Sequence, residues 1–421
     1  VRVALAVVLG RLVRFLTRLR GGGSALPGWV ALKVAPGFVA TVMSRIRVNR
    51  AAPIAVVTGS NGKSTTTSMT TAILEAHGKR VFSNPSGGNL PQGIASAMLA
   101  DVTIRGDLKT DVVVLELDEA FGERLVDVIQ PTHALLLNVQ VDQLNRFFEP
   151  ERVVEMVRAI AMPAEHVIVN DADPNTRALG NQLSADHAVS GFDVSAAVSK
   201  QGEYGANVGN DSALDIRSPV VRVDEVSGAT AVLSHGSVSV TVTLPSAGIH
   251  YAVDAAGAFA LSDRVLGDDF DASLAARAVS AMKPVYGRGE SVEAGGAPLT
   301  IVMMKNQPSL QANLDALTEV PESLYLAVDG GTPDPSWIYS IDVSSIDHVD
   351  VVSGTKAWQW ETRLAYAEIP VGLVDENPES AFDAFCQTTT PERQTHRTAI
   401  VNYEQMMDLR RSLGYLEIEG E

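Results

Sequence analysis

The segment Thr58-Gly59-Ser60-Asn61-Gly62-Lys63-Ser64-Thr65 constrains this chain more than any other. It follows a short apolar run at 54–57 and precedes residues 64–76, which read as a helix. Strand, glycine-bearing loop, Lys-Ser and helix form the anatomy of a nucleoside triphosphate site. Backbone N–H groups and the helix N-terminus face the phosphates, Lys63 supplies a mobile cation, and the Ser64 hydroxyl suits Mg²⁺. The usual pattern carries another glycine five residues before Gly62, where Val57 stands. The candidate nucleotide residues are therefore Thr58, Gly59, Asn61, Gly62, Lys63, Ser64 and Thr65.

Companion segments follow in order. Residues 112–117 are an apolar strand that runs into Glu116, Asp118 and Glu119. A buried strand ending in carboxylates is how such folds present Mg²⁺ ligands. Glu116 is the first candidate and Glu119 the second, against the plainer reading of solvated acids at a strand end. Residues 134–138 form another apolar strand, so Asn138 and Asp142 emerge on the same sheet edge as the loop. Asn170 adds an amide, and Arg288, in Tyr286-Gly287-Arg288-Gly289-Glu290, adds an arginine suited to a transferring phosphoryl group.

The alternation of strands at 54–57, 80–83, 112–117, 134–138 and 166–170 with helices predicts an α/β fold with a parallel sheet. Residues 185–245 read as antiparallel strands, and 252–282 as Ala-rich helix. A second α/β unit, with strands at 299–304, 324–328, 348–352 and 399–401, completes the 421 residues. Three regions result: an N-terminal helical segment (1–48), a central domain (49–290) and a C-terminal domain (291–421). In the first region, Arg11, Arg14 and Arg18 share a helical face beside Leu12, Leu16 and Leu19. Such a helix either lies on an anionic membrane surface or packs on its own domain.

Composition excludes some classes. Lys and Arg number 33 against 50 Asp and Glu, a net charge of −17. That sign argues against a general nucleic-acid binder. Cys386 is the only cysteine, so an internal disulfide and a Cys-rich zinc site are both ruled out, and a reducing, cytoplasmic setting is expected.

In order and spacing, these motifs resemble the Mur ligase superfamily, whose loop is the shorter Thr-Gly-x-Asn-Gly-Lys form. Within it the likeness is to the MurT-type synthetase subunits of lipid II isoglutaminyl synthases. It is carried by Asp142-Gln143-Leu144 with Arg146, by Ser83-Asn84-Pro85-Ser86-Gly87-Gly88-Asn89 and by Asp334-Pro335-Ser336-Trp337. Ser353-Gly354, Arg363-Leu364 and the segment from Asn402-Tyr403 to Leu409-Arg410 also fit.

The resemblance implies a Mur-ligase-like central P-loop ATPase domain with a Rossmann-like C-terminal domain. It implies ATP and Mg²⁺ (held by Ser64 and Glu116), and amidation of the D-glutamate α-carboxylate in the lipid II stem peptide through an acyl phosphate. Ammonia would come from a GatD-like glutaminase subunit. Lys63 and Glu116 would serve the phosphoryl transfer, and Asp334 would complete the partner's Cys-His pair. The setting implied is the cytoplasm, at the inner face of the membrane.

The chain also departs from that subfamily. The four-cysteine zinc ribbon is missing, so no zinc is expected. Tyr251 and Asp254 stand where two asparagines are usual, Asn145 replaces an Asp, and Lys305-Asn306-Gln307-Pro308-Ser309 departs from Lys-Asn-Pro-x-Gly. Two alternatives stay open: a Mur-type ligase that joins an amino acid, and a non-catalytic paralogue.

Overall fold

The structure, a computed structural model, describes residues 1–19, 25–50, 52–84, 88, 90–140, 150–199, 217–283, 288–317, 320–329, 336–387 and 397–415. Helices α1 (Arg2–Leu19), α2 (Leu26–Val34) and α3 (Phe38–Arg50) come first. An alternating stretch follows: β1 (Ile54–Thr58), α4 (Lys63–Ala76), β2 (Val81–Ser83), α5 (Pro91–Asp101), β3 (Val112–Glu116), α6 (Glu119–Ile129) and β4 (His133–Leu136). It continues through α7 (Pro150–Ala161), β5 (His166–Asn170), α8 (Pro174–Leu183), β6 (Ala188–Val194) and α9 (Ala196–Ser199). The strands β7 (Val221–Ser227), β8 (Thr230–His235) and β9 (Val238–Thr243) lead into α10 (Ile249–Leu266) and α11 (Ala272–Ser280).

These strands form one sheet in the order β2-β3-β1-β4-β5-β6-β7-β8-β9. Pairing is parallel from β2 to β7 and antiparallel from β7 to β9. The strands β1, β3 and β4 are buried at every residue, as expected where helices cover both faces. On β7 buried residues alternate with more exposed ones, the pattern of a sheet with one wet face. Within 185–245, the expected antiparallel character holds for β7–β9, whereas β6 joins the parallel set. The chain leaves β1 for β2 and β3 on one side and returns to β4 on the other. Such a reversal opens a crevice at the carboxyl ends of the strands.

Each face has its own core. Phe38, Val42, Met43, Met98, Leu99 and Ile160 pack with Ile54, Val56, Val113 and Leu115 on one face. The N-terminal helices thus form a layer over the central sheet. On the other face Met69, Ile73, Phe259 and Val279 meet Ala55, Val57, Val114 and Leu135. The many alanines of α10 let it approach α4 closely, and α10 is buried along most of its length.

The second sheet runs β10 (Arg288–Ala294), β11 (Ala297–Met303), β15 (Arg397–Val401), β12 (Ser323–Ala327), β13 (Val349–Ser353) and β14 (Val371–Asp375). It is parallel except for the β10–β11 hairpin. Its helices are α12 (Gln307–Asp315), α13 (Ala357–Tyr366), α14 (Pro378–Gln387) and α15 (Tyr403–Ser412). Because β10 starts at Arg288, the division expected at 290/291 falls inside this strand.

A pH dependence follows from the β4–β5 register, which sets His133 beside His166, ring centroids 4.9 Å apart. Burial, and then the charge of His166, lowers the His133 pKa from 6.5 to about 4. The folded protein therefore holds His133 neutral. Its contribution to stability is complete above pH 6.5 and is lost as pH falls through 4, about 3 kcal/mol in all. Urea midpoints of the wild type should fall across that window, and the His133→Phe variant should show a flatter profile. Parallel profiles for the two proteins would contradict this assignment.

Candidate functional site

Beyond β1 the chain turns through Gly59 at φ +139° and Gly62 at φ +85° before α4 begins at Lys63. Side chains rarely tolerate such angles. Space is short as well. A Cβ on Gly59 would lie 2.9 Å from the backbone N and O of Asn138, and one on Gly62 would lie 2.1 Å from Asp254 Oδ1. The loop is thus pressed between the exit of β4 and helix α10.

A ladder of hydrogen bonds fixes the loop to the segment after β4. Ser60 N donates to Asn138 O at 3.0 Å. Asn61 N donates to Asn138 Oδ1 at 2.9 Å, and Asn138 Nδ2 donates back to Asn61 O at 3.1 Å. Gln140 extends the ladder: its N donates to Ser60 Oγ at 3.0 Å and its Oε1 accepts from Asn61 Nδ2 at 2.8 Å. Asn138 was expected near the loop from its place at a strand end, and it bonds that loop here. Gln140 was not singled out, since nothing local distinguishes it from its polar neighbours.

Lys63 is buried, and its Nζ donates to Gly59 O at 2.6 Å and to Glu119 Oε1 at 3.0 Å. Burial pulls its pKa down, but the carboxylates of Glu119, Glu116 and Asp118 outweigh that and hold it above 10.5. Lys63 therefore stays a cation at the base of the crevice. The sequence had offered Glu119 as a metal ligand; here it is the ion-pair partner of Lys63. Removing one member of a buried pair leaves an uncompensated charge and costs about 3–5 kcal/mol.

Glu116 ends β3 and is buried. Asn84, at the exit of β2, clips its backbone from both sides: Asn84 Nδ2 donates to Glu116 O at 3.0 Å, and Glu116 N donates to Asn84 Oδ1 at 2.9 Å. Asp118 caps α6 by accepting from Ala120 N and Phe121 N, which sets Glu119 in the first helical turn. Ser64 and Thr65 are buried in the first turn of α4, and no side chain caps that helix.

The C-terminal domain reaches the same loop. Just beyond β11, Lys305 Nζ donates to Ser60 O at 2.8 Å and Asn306 Nδ2 donates to Asn61 Oδ1 at 3.1 Å. Asn306 also caps α12, its Oδ1 accepting from Ser309 N at 2.9 Å in a reciprocal capping box. The Asn-x-x-Ser spacing after an apolar strand was the available signal for that cap.

The other expected residues divide. Asn170 closes β5, where its Nδ2 donates to Leu137 O at 2.9 Å and its Oδ1 accepts from Ala172 N at 3.0 Å. It braces the sheet edge beside Asn138. Tyr251 is a core residue against His250, whereas Asp254 lies against the loop at Gly62. Asp142 and Asp334 lie outside the described residues, as does the Arg288 side chain.

This arrangement fits a nucleotide triphosphate. The glycine turns admit no Cβ, the helix N-terminus lacks a side-chain cap, and the Thr58 hydroxyl is buried with no hydrogen-bond partner among the described residues. No group of three or more His, Cys, Asp or Glu among the described residues could hold a metal ion. A Mg²⁺ site here would accordingly draw on Ser64, one or two carboxylates and the phosphates themselves.

Comparison with known proteins agrees with that geometry. Residues 57–261 match the Mur ligase middle domain family. The chain is 25% identical to the lipid II isoglutaminyl synthase (glutamine-hydrolyzing) subunit MurT of Streptococcus pneumoniae, covering 99% of this chain and 98% of that one. It is 23% identical to the protein of the same name from Staphylococcus aureus, covering 95% of each. Among solved structures, the MurF ligase of Thermotoga maritima in complex with ADP superposes with a TM-score of 0.64 at 18% identity, covering 92% of this chain and 84% of that one.

The interdomain contact can be tested apart from stability. Asn306→Asp keeps an acceptor for the α12 cap but sets two acceptors face to face at Asn61. Losing one net hydrogen bond of about 1 kcal/mol should raise the KM for ATP about fivefold, with the protein still fully folded at the assay temperature. An unchanged KM would show that this contact does not bear on the nucleotide site.

Proposed function

We propose that this chain, a member of the Mur ligase superfamily of ATP-dependent ligases, amidates the D-glutamate α-carboxylate of the lipid II stem peptide with ammonia from a GatD-like glutaminase subunit. The observation that most supports the reading is the whole-chain similarity to two proteins named as subunits of glutamine-hydrolyzing lipid II isoglutaminyl synthases. An intact Lys63-centred loop, with Glu116 beside it, supports the activation half of the reaction.

The chemistry divides into two transfers. An oxygen of the acceptor carboxylate attacks the γ-phosphorus of ATP, the β–γ bridging bond breaks, and ADP departs. Ammonia then attacks the carbonyl carbon of the acyl phosphate, inorganic phosphate leaves with the bridging oxygen, and the nitrogen loses a proton. Activation is needed because a carboxylate oxygen is a poor leaving group, whereas phosphate is a good one.

The protein's part is positioning and charge. The uncapped N-terminus of α4 presents backbone N–H groups to the phosphates. Lys63, kept protonated by its carboxylate neighbours, balances negative charge as it moves from the γ-phosphate toward the leaving oxygen. The ladder through Asn138 and Gln140 holds the loop still, so little reorganisation is left for the reaction itself. Mg²⁺, when bound through Ser64 and Glu116, supplies further charge neutralisation. In this reading Arg288 serves the transferring phosphoryl group and Asp142 lines the nucleotide site. Asp334 orients the histidine of the partner's Cys-His pair.

Two variants test the division of labour. Lys63→Ala should abolish ATP-dependent amidation whether glutamine or ammonium salt supplies nitrogen. Asp334→Asn should abolish glutamine-driven turnover yet leave ammonium-driven turnover near wild type. Equal loss with both nitrogen sources for Asp334→Asn would contradict the proposed role, and turnover with a free amino acid in the absence of any glutaminase would favour an amino-acid ligase instead.

A further inference from the structure

The first helix keeps two opposite apolar faces, and only one of them is covered. Ala6 and Val7 are buried and Gly10 packs against Leu99 of α5, so one face is the inner contact of the N-terminal layer. Arg11 locks it there by donating to Leu99 O at 2.8 Å and to Val102 O. The sequence left two readings for this helix, packed on its own domain or lying on a membrane. The packed reading accounts for the inner face alone.

The outer face is a continuous stripe. Leu5, Val8, Leu12, Phe15 and Leu16 are each 51–61% exposed. At about 100° per residue they fall within one arc of about 100° on the helix. Beside α1, α2 adds Trp29, half exposed, with Lys33 set 5.4 Å from its ring. Single exposed apolar residues are ordinary, but an aligned stripe ending in aromatic rings is not.

Charge says what covers it. Residues 1–50 contain nine Arg or Lys and no Asp or Glu, in a chain whose net charge is −17. Arg2 and Lys33 are exposed. Arg45 forms an ion pair with Asp107. Arg11 and Arg47 donate to backbone carbonyls and keep their positive charge. Strong local positive charge on an acidic protein, next to exposed Leu, Phe and Trp, matches an anionic lipid surface. No single helix among the described residues is long and apolar enough to cross a membrane. The α2–α3 pair that meets the length and composition test together is bent by 85° and buries Phe38, Val42, Met43 and Ile46 in the domain core, so the exposed face of α1 suits a contact that lies in the interface.

We infer that the outer face of α1, with Trp29, is a docking surface for anionic lipid bilayers. This rests on the patch alone and not on the identity of the acceptor. The test is co-flotation of the intact chain with vesicles of phosphatidylcholine, with and without phosphatidylglycerol. Binding should be at least about tenfold stronger with phosphatidylglycerol and should weaken as salt rises. Leu12→Glu with Phe15→Glu should reduce it by about tenfold or more. The distant, exposed Tyr366→Glu should bind like wild type, and all three proteins should melt alike and turn over ATP alike with a water-soluble acceptor.

Four outcomes would overturn the inference. They are absence of binding to either vesicle, equal binding to both, undiminished binding by the double variant, or concentration-dependent self-association that the double variant abolishes while vesicles recover nothing. Failure of catalysis with the soluble acceptor would count against the proposed function and leave this inference standing.

Discussion

The structure turns on a charged lysine that burial alone would not keep charged. Lys63 is inside the protein, where desolvation favours the neutral amine, yet Glu119, Glu116 and Asp118 hold it as a cation. Those carboxylates are there because β3 ends at Glu116 and Asp118 caps the helix that follows. The lysine in turn is fixed because α4 starts directly after the glycine turns. Strand order, helix capping and loop geometry therefore all converge on one ammonium group. An anion that reaches Lys63 shares its charge with Glu119, so ligand binding and this ion pair are coupled.

Around that centre, the loop is held from three directions. Asn138 and Gln140 grip it from the exit of β4, Asp254 bounds it at Gly62, and Lys305 and Asn306 touch it from the second domain. The crevice is thus shared between two sheets with separate cores. Among the described residues, the second domain touches the loop through Lys305 and Asn306, in the short segment after β11.

Much of this was legible because buried parallel strands leave apolar runs. The strands β1, β3, β4 and β5 stand out for that reason, and the polar residues at their carboxyl ends mark the site edge. What stayed hidden depends on distance along the chain. Asn61 meets Gln140 79 residues away, Asn84 meets Glu116 at 32, and Lys305 meets Ser60 at 245. No local pattern carries such pairings. Two strands were also missed: β14, whose Val371–Asp375 run lies at the sheet edge and is partly exposed, and β10, whose Arg288, Glu290 and Glu293 obscure any apolar run. Glu119 was legible as an acid near the phosphates, but its pairing with Lys63 needed the turn of α6.

The central claim is that the lysine-centred loop activates a carboxylate by making it an acyl phosphate. The most direct measurement follows the oxygen: the acceptor is labelled with heavy oxygen in its reacting carboxylate, and the phosphate released during amidation is analysed by mass spectrometry. In an acyl phosphate the bridging oxygen originates in the carboxylate and leaves with phosphorus when nitrogen attacks carbon. The account predicts one labelled oxygen in each phosphate molecule when the carboxylate is fully labelled. Unlabelled phosphate, released while amide forms, would contradict it.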